Sequence, residues 1–409
     1  MRPIALLALL LLGAAQATAA EFAIDYRVRF LPAEDAAEVV MQVSPGEHGR
    51  PTAFDFAMPS SRYTLLEADG ETERKGGRMH WTVPKEGGKF SYRYRVSRKR
   101  GAGYDARMGD SLALLRGDQL FPAGVMRATR GARSRTTVRF DLPKGWSVET
   151  PYRLQEEGHY LVEWPGRRFA RPVGWLIAGD LGVRRDIFDG TQFVVAAPRG
   201  EAMRRQDILA MIHWTQYELR LAFGDLPDKI LIVGAGDPFW RGGLSGPRSV
   251  YLHARRPLIL EDGTSTLLHE LVHSLTRIRG TNHHNWIAEG IAEFYAIELL
   301  HRAGVTTEAR HQRTWRFLRQ RERRVDSLIG RNCTGPCIAA AAVLFRDLDT
   351  EIRKATDDEK SLDDMVRVLM REQRRVSPER LREVAEEIAA GSLRTLHSAK
   401  VRVAVHHGE

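Results

Sequence analysis

The sequence predicts a multidomain α+β protein, and three patterns carry this prediction. Short apolar runs of period two follow one another up to about residue 186, which is typical of a β-sandwich-like domain. Strand-like and helix-like segments then alternate, and beyond residue 331 apolar residues recur every three or four positions. The predicted division of the 409-residue chain is a signal peptide at 1–20, an N-terminal β domain at 21–190, an α/β domain at 191–330 and a C-terminal helical domain at 331–409.

The first twenty residues have the pattern of a cleavable signal peptide. Arg2 precedes a run rich in leucine and alanine, and small residues at positions 17–20 stand before Glu21. We therefore expect export to the periplasm or the medium. No later stretch approaches the ~20 consecutive apolar residues that a membrane helix needs, so no membrane span is expected. The sequence does not indicate an oligomeric state.

The chain is basic, with a formal net charge of +10 and five arginines between residues 127 and 139. A basic surface is a feature of proteins that bind nucleic acid. An exported protein rarely meets nucleic acid, however, and the sequence contains no recognised nucleic-acid-binding module. We interpret these arginines as a solvated face suited to an anionic cell envelope, and expect no nucleic-acid partner.

Seven strands are expected in the N-terminal region, with Gly, Pro and Asp turns between them. Their predicted positions are 23–30, 38–43, 79–83, 90–96, 136–140, 160–164 and 175–180. The α/β region is expected to contain a strand at 192–196, a long amphipathic helix at 201–223 and strands at 229–233 and 249–253. No residue of the N-terminal region shows a catalytic pattern.

A His-Glu-x-x-His motif follows these strands. His269 and His273 are four residues apart, so on a helix they lie on one face, where both imidazoles can reach one ion with Glu270 beside them. Asp262, Thr264 and Ser265 offer N-caps, the apolar pattern runs over 266–278, and Arg277, Arg279 and Gly280 are typical of a helix end. Core histidines are the alternative, but burying two histidines and an acid without partners is costly. The motif therefore favours a zinc site.

A catalytic zinc ion takes three protein ligands and leaves one position open for water. Glu289 is the best third ligand, because an acid between Trp286 and Ile291 otherwise has no reason to face the core. Its helix is predicted at 285–302, with Asn285 as N-cap and Gly304 at its end, and Gly290 would let another helix approach closely. Glu293 either accepts the second ring N–H of a liganding histidine or is an exposed helix acid; both interpretations stay open.

These residues carry a resemblance to a known group of enzymes. His269-Glu270-x-x-His273 with Trp286-x-x-Glu289-Gly290 resembles the gluzincin metallopeptidases, which have a thermolysin-like catalytic domain, and most of all the bacterial glycyl aminopeptidase family. The resemblance implies that His269, His273 and Glu289 bind one Zn²⁺ and that Glu270 is the general base. It also implies an N-terminal domain that walls one side of the cleft and an edge strand that holds the substrate backbone.

The sequence departs from this family at two positions. In the aminopeptidases a glutamate captures the free α-amine, whereas Ser245 and Gly246 stand there in this chain. Exopeptidase and endopeptidase action therefore both stay open. The relatives also have a tyrosine that stabilises the oxyanion, but this chain has no tyrosine after Tyr295. The oxyanion donor must come from elsewhere, and the sequence offers four candidates: Tyr251, His283, His284 and His311.

The remaining features lie in the C-terminal part. Cys333 and Cys337 are the only cysteines, and in an oxidising compartment a local disulfide between them is expected. The segment at 339–389 is helical in its apolar spacing, and its pattern also resembles the C-terminal helices of the family. No peptide-binding β module follows, although many relatives carry one.

Taken together, the motifs predict an exported zinc metallopeptidase that acts on peptides or proteins by means of a zinc-activated water and Glu270. A catalytically silent peptide-binding protein that keeps the zinc for structure is the alternative, since two family positions are changed. Glu270 argues against it, because a structural site needs no acid beside its ligands. A third possibility is an envelope protein that binds anionic polymers through its arginines.

Overall fold

The computed structural model describes residues 20–164, 166–330, 332–372, 374–398 and 400–401. The predicted signal peptide at 1–20 lies outside the described residues except for its last position. Among the described helices, none combines the length and apolar character needed to cross a membrane.

The N-terminal part is built almost entirely of strands. In chain order they are β1 (Glu21–Leu31), β2 (Ala36–Ser44), β3 (Pro51–Ala57), β4 (Tyr63–Ala68), β5 (Thr72–Lys75), β6 (Arg78–Thr82), β7 (Gly88–Arg95), β8 (Arg98–Arg100), β9 (Gly103–Gly109), β10 (Leu112–Arg116), β11 (Gly124–Ala128), β12 (Arg133–Asp141), β13 (Ser147–Glu149), β14 (Tyr160–Val162) and β15 (Trp175–Gly179). A short helix, α1 (Gly117–Leu120), follows β10, and a 3-10 turn covers Pro32–Glu34. Each of the seven predicted strands overlaps one of these: β1, β2, β6, β7, β12, β14 or β15.

These strands form three sheets around an aromatic core. Their orders are β14-β12-β1-β2-β7-β4, β13-β15-β10-β9-β8 and β11-β3-β6-β5. Alternate residues of β1 are buried, as expected of a strand with one face on the core. Phe54, Trp81 and Phe90 come from three different strands and stack in the same apolar cluster.

A second five-stranded sheet lies next in the chain. It contains β16 (Leu181–Phe188), β17 (Thr191–Pro198), β18 (Lys229–Ala235), β19 (Gly243–Gly246) and β20 (Ser249–His253), in the order β16-β17-β18-β20-β19. The three inner strands are parallel, and both edge strands run antiparallel to their neighbours. Because β16 pairs with β17 along its whole length, this sheet begins before residue 191; the division into domains stays a prediction.

Helices cover one face of this sheet. They are α2 (Arg205–Phe223), α3 (Thr266–Thr276), α4 (Trp286–Arg302), α5 (Glu308–Glu322), α6 (Pro336–Ala355), α7 (Leu362–Glu372) and α8 (Pro378–Ala389), with a 3-10 turn at Arg394–His397. A two-stranded ribbon, β21 (Arg279–Gly280) and β22 (Arg375–Val376), links α3 to the C-terminal helices. One apolar core runs through all of these helices, across the predicted boundary at 331. The predicted helix at 201–223 begins only at Arg205, since the carboxylate of Glu201 accepts the backbone N–H of Gly236 instead.

The opposite face of the second sheet packs on the N-terminal part. Val194, Leu231 and Tyr251 of the sheet share a buried cluster with Leu114 of β10 and Trp175 of β15. The sheet is thus fixed between helices on one side and N-terminal strands on the other. Its edge strand β19 packs beside α3, which carries the histidine motif.

Candidate metal centre

Helix α3 presents its two histidines to a cleft because its other face is buried. Ser265 is the N-cap, and its hydroxyl accepts the backbone N–H of Leu268. Leu267, Leu268, Leu271 and Val272 are fully buried against the core, while the motif side chains lie on the partly buried face. The helix ends at Thr276, and Arg277 takes a left-handed conformation with φ 54°. The apolar pattern extends to 278, two residues too far, because Arg277, one of the three residues expected at the helix end, closes the helix itself.

Helix α4 supplies the acids and begins where predicted, although Asn285 does not cap it with its side chain. Asn285 has helical backbone angles and makes no side-chain cap. Its Oδ1 accepts the backbone N–H of Cys333 instead, at 3.1 Å, so it ties α4 to the segment before α6. Gly290 does permit a close helix contact, but with α6: a Cβ there would lie 2.7 Å from Phe345 and 2.8 Å from Ala341. Glu289 points the other way, toward α3.

Three donor atoms converge between the two helices. Nε2 of His269 lies 3.2 Å from Nε2 of His273 and 3.4 Å from Oε2 of Glu289. Nε2 of His273 lies 3.7 Å from the same carboxylate oxygen. In a tetrahedral zinc site with bonds of about 2.1 Å, ligand atoms are separated by about 3.4 Å. The spacing of the three atoms and their chemical types both fit Zn²⁺.

The two helices bring imidazoles and carboxylates so close together that each group changes the pKa of its neighbours. Burial disfavours the charged imidazole of His269, but the carboxylates of Glu289 and Glu293 outweigh burial and raise its pKa well above the usual value. Burial also opposes ionisation of Glu289, but hydrogen bonds from His269 and His273 hold the pKa of its carboxyl far below the usual range. The ionised carboxylate needed by a metal ligand is thus the favoured form.

Glu293 lies behind His269, on the side away from the other donors. Its Oε2 is 2.8 Å from Nδ1 of His269. A proton on Nδ1 that is donated to this carboxylate leaves Nε2 with its lone pair directed at His273 and Glu289. This contact supports the first of the two interpretations that the sequence left open for Glu293, and the exposed-acid interpretation is wrong because the side chain is mostly buried.

Glu270 lies in the same cleft without belonging to the donor triangle. The cleft has a volume of about 690 Å³, and Glu270, the three donors and strand β19 all line it. The side chain of Glu270 is packed against β19, because a Cβ on Gly243 would lie only 2.6 Å from its Cγ. A partly buried carboxylate beside three converging ligands is suitably placed to act as a base on a water held there.

Strand β19 is the free edge of its sheet, as expected for the run that contains Ser245 and Gly246. The carbonyl oxygen of Ser245 is directed away from β20, since it accepts from Nη1 of Arg116 at 3.4 Å. The carbonyl oxygen of Gly246 accepts from the hydroxyl of Ser274 on α3 at 2.8 Å. Both carbonyls already have a partner within the chain, so an extended chain in the cleft would have to pair with the other backbone groups of this edge.

None of the four candidates for the oxyanion donor lines the cleft. Tyr251 is buried on the far side of the sheet and donates its hydroxyl to the carbonyl of Trp240. His311 bonds to Glu298 at 2.7 Å, and His284 bonds to Thr281 at 3.1 Å. These four predictions are wrong, because the position of a residue in the sequence does not show which loops fold next to the site. The neutral donors that do line the cleft include Asn332 and Thr334.

The cleft also contains residues that the sequence did not single out. Arginines from both halves of the chain line it: Arg100, Arg116, Arg277, Arg279 and Arg375. Arg100 and Arg116 end strands β8 and β10, so the N-terminal part does form one wall of the cleft. Because the chain has 62 lysines and arginines, no local pattern distinguished these five.

The expected disulfide is confirmed: Cys333 and Cys337 are bonded to each other, and neither cysteine is free. Cys333 lines the cleft, and Cys337 lies in the first turn of α6. The bridge ties the segment around Thr334 to the first turn of α6, and the hydrogen bond from Cys333 to Asn285 ties it to the start of α4.

A second group of possible ligands lies at the far end of α4. His301, Glu308 and His311 bring donor atoms within 4.8 Å of one another. The two imidazole rings are stacked with centroids 4.0 Å apart and planes within 10° of parallel, so their in-plane lone pairs do not converge. Glu298 already pairs with His311, and Glu308 is largely exposed. The group fits a metal ion less well than the triangle in the cleft does.

Comparisons with known proteins rest on structure alone, since no protein-family model and no curated protein matches the sequence. The fold is similar to an aminopeptidase N family protein from Idiomarina loihiensis, with a TM-score of 0.63 and 14% identity over 85% of this chain and 70% of that one. It is also similar to Legionella pneumophila aminopeptidase A in complex with aspartic acid, with a TM-score of 0.54 and 11% identity over 92% of this chain and 48% of that one. The chain therefore has a multidomain, aminopeptidase-like α/β fold, while the specific likeness to glycyl aminopeptidases stays a prediction.

Proposed function

We propose that the chain is an exported zinc metallopeptidase. The observation that carries the proposal is the convergence of His269, His273 and Glu289 to within 3.2–3.7 Å of one another, at the base of a cleft bordered by a free strand edge. The aminopeptidase-like fold supports it, and the signal-peptide pattern supports export.

Each residue has a distinct role in this proposal. His269, His273 and Glu289 would hold a zinc ion, which when bound would supply a Lewis acid for a peptide carbonyl and for a water molecule. Glu270 accepts the proton of the attacking water and then delivers it to the departing amine. Glu293 holds His269 in the tautomer that leaves Nε2 free. The outward backbone groups of β19 hold the substrate in an extended form across the site.

The cleft favours cleavage that does not require a free amino terminus. Ser245 and Gly246 offer no carboxylate to an ammonium group. Beside β19, the acids among the described lining residues are Glu270 and Glu289, and a pocket that adjoins on the other side of Glu270 adds Asp262 and Glu293. Glu270, Glu289 and Glu293 have roles in the proposed chemistry, and Asp262 accepts from the hydroxyl of Thr264 at 2.9 Å. We therefore propose that the enzyme acts on internal or blocked peptide bonds, in contrast to enzymes that recognise the α-amine.

The Glu270→Gln variant tests the proposal. Zinc-loaded wild type should hydrolyse mixed peptides, including N-acetylated ones, and Glu270→Gln should be slower by about 10² to 10⁴-fold because the proton acceptor is removed. Both proteins should carry the same amount of zinc. The control is Glu359→Gln, an exposed glutamate without an ion pair in the described part of the chain, and it should retain full activity. Equal rates in wild type and Glu270→Gln would exclude Glu270 as the base.

The alternative is a silent protein that binds peptides and keeps zinc for structure. It is favoured by the two changed positions: Ser245 and Gly246 offer no acid for an amine, and the described lining of the cleft contains no tyrosine. Wild type that is fully loaded with zinc, binds peptides and cleaves none of them would establish this alternative instead.

A further inference from the structure

The charge of the cleft is unusual for a site that is to accept a peptide. Beside β19, its described lining contains two carboxylates and five arginines, which are Arg100, Arg116, Arg277, Arg279 and Arg375, and the pocket that adjoins on the other side of Glu270 adds Arg256, Arg321, Asp262 and Glu293. Both carboxylates, Glu270 and Glu289, lie at the metal centre, where a divalent cation would add further positive charge. All of the five except Arg116 are exposed to solvent, and a cleft lined by charges of one sign concentrates ligands of the opposite sign, most strongly at low salt.

Most of these arginines have no acidic partner within the described residues. Only Arg116 has one within 4.0 Å, namely Asp118 at 3.2 Å. The guanidinium of Arg100 lies over Trp240, 5.3 Å from the ring centroid, and that of Arg277 lies over Trp164 at 4.8 Å. Arg375 donates to the carbonyl of Gly280 at 3.0 Å. These contacts orient the guanidinium groups and leave most of their N–H donors without an anion.

The arginines also repel one another. Burial, followed by the charges of Arg279, Arg167 and Arg248, lowers the pKa of Arg277. Like charges held together in this way repel one another, and an anion between them would offset that repulsion. Packing on Trp240 and Trp164 holds Arg100 and Arg277 beside the cleft, where an anion could reach them.

From this geometry we infer that the cleft selects peptides that carry carboxylates. The inference rests on the proposed function, since it names the substrate class of the same site. A carboxylate accepts two parallel N–H bonds from a guanidinium, which gives direction as well as charge. Next to the edge strand β19, Arg116 bonds to the carbonyl of Ser245, so a guanidinium group and not a carboxylate lies beside this strand.

A carboxylate can come from an acidic side chain or from a free carboxyl terminus, and a set of four peptides separates the two sources. The peptides share one N-acetylated sequence, carry Glu or Gln at the positions flanking one cleavable bond, and end in either a free carboxylate or an amide. Hydrolysis is followed by chromatography, and binding is measured by calorimetry with zinc-loaded full-length protein. A preference for Glu over Gln assigns the side chain, and a preference for the free acid assigns the terminus.

Arg279→Gln and Arg100→Gln test the arginines from opposite walls of the cleft. Neither side chain makes an ion pair in the described structure, so their loss should leave folding intact. Each should lower kcat/KM and binding for the preferred acidic peptide about tenfold, and change those for the neutral peptide little. Arg184→Gln is the matched control: it removes the same charge from β16, the opposite edge of the same sheet, and should change neither. Raising the salt concentration should reduce the preference in wild type.

The outcomes separate the inference from the proposed function. Hydrolysis without any preference for carboxylates, or equal effects of Arg184→Gln and Arg279→Gln, would overturn the inference and leave the peptidase proposal standing. Tighter binding of carboxylate peptides without hydrolysis of any peptide would overturn the peptidase proposal and leave the preference for carboxylates standing. Zinc-loaded protein that neither binds nor cleaves any of the four peptides would contradict both.

Discussion

The pair formed by Nδ1 of His269 and Oε2 of Glu293 is the single contact that determines which ring nitrogen faces the other ligands. The two atoms are 2.8 Å apart, which is typical of a charge-assisted hydrogen bond. Glu293 is not itself one of the three donor residues. The position of Glu293 one turn beyond Glu289 on α4 is what aligns both acids with His269.

We expect Glu293→Gln to lower the affinity for zinc about 10 to 100-fold, because the neutral amide orients and polarises the imidazole less well. The measurement is a competition titration against a chelator of known affinity. Glu359→Gln, with the same chemical change on an exposed site, should bind zinc as wild type does. An unchanged zinc affinity in Glu293→Gln would mean that His269 is oriented by packing alone.

Among single residues, those whose geometry is local were predictable from sequence. His269 and His273 share a face because any helix places residues four apart together, and Glu289 follows from an acid within an apolar stripe. The arginines of the cleft and other residues that line it, such as Asn332, could not be predicted from the sequence. They come together only through the packing of distant segments, and their residue types are common in this chain.

At the scale of secondary structure, the site depends on how closely β19 approaches α3. Gly243 makes this approach possible: a Cβ there would lie 2.6 Å from Cγ of Glu270 and 2.7 Å from Cγ2 of Thr266. The strand and the helix therefore share a boundary at which even a methyl group has no room.

Gly243→Ala should consequently push β19 away from α3 or displace Glu270. We expect a loss of about 1 to 3 kcal/mol in the free energy of unfolding, together with a fall in kcat. Gly109→Ala is the matched control, since Gly109 also lies in a strand but a methyl group added to it would have no other atom within 4 Å. Denaturant unfolding and peptide hydrolysis on both variants check this. Equal stability and activity in the two variants would show that the contact is not tight in solution.

Elements were predictable where one face is clearly apolar. Strand β1 alternates buried and exposed residues, and α3 has a continuous apolar stripe, so both appear in the sequence pattern. Strand β5 is exposed at every position and has no such signal. Helix α5 was missed for a related reason: it is rich in arginine, and only Thr314, Trp315 and Leu318 are buried.

At the scale of the whole molecule, the second sheet holds the site because it is covered on both faces. Helices α2 to α8 pack on one side, and the N-terminal strands β10 and β15 pack on the other. The overall α+β class followed from composition and periodicity. The continuity of the core across residue 331, and the start of the sheet at β16, depend on pairing between distant segments, which periodicity does not reveal.

This architecture makes the metal centre a link between two helices of the main core. Zinc would join α3 to α4, each of which is buried along most of its length. The second histidine group, at the far end of α4, shares no ligand with it. The two groups can therefore be tested separately in the intact protein.

The central claim is that His269, His273 and Glu289 together hold one zinc ion, and metal analysis of the purified full-length protein tests it most directly. After loading with zinc and removal of excess, wild type should carry one zinc ion per chain, Glu289→Ala and His273→Ala should lose it, and His311→Ala should keep it. The claim would be contradicted by wild type without zinc, by Glu289→Ala that retains the ion, or by loss of the ion in His311→Ala.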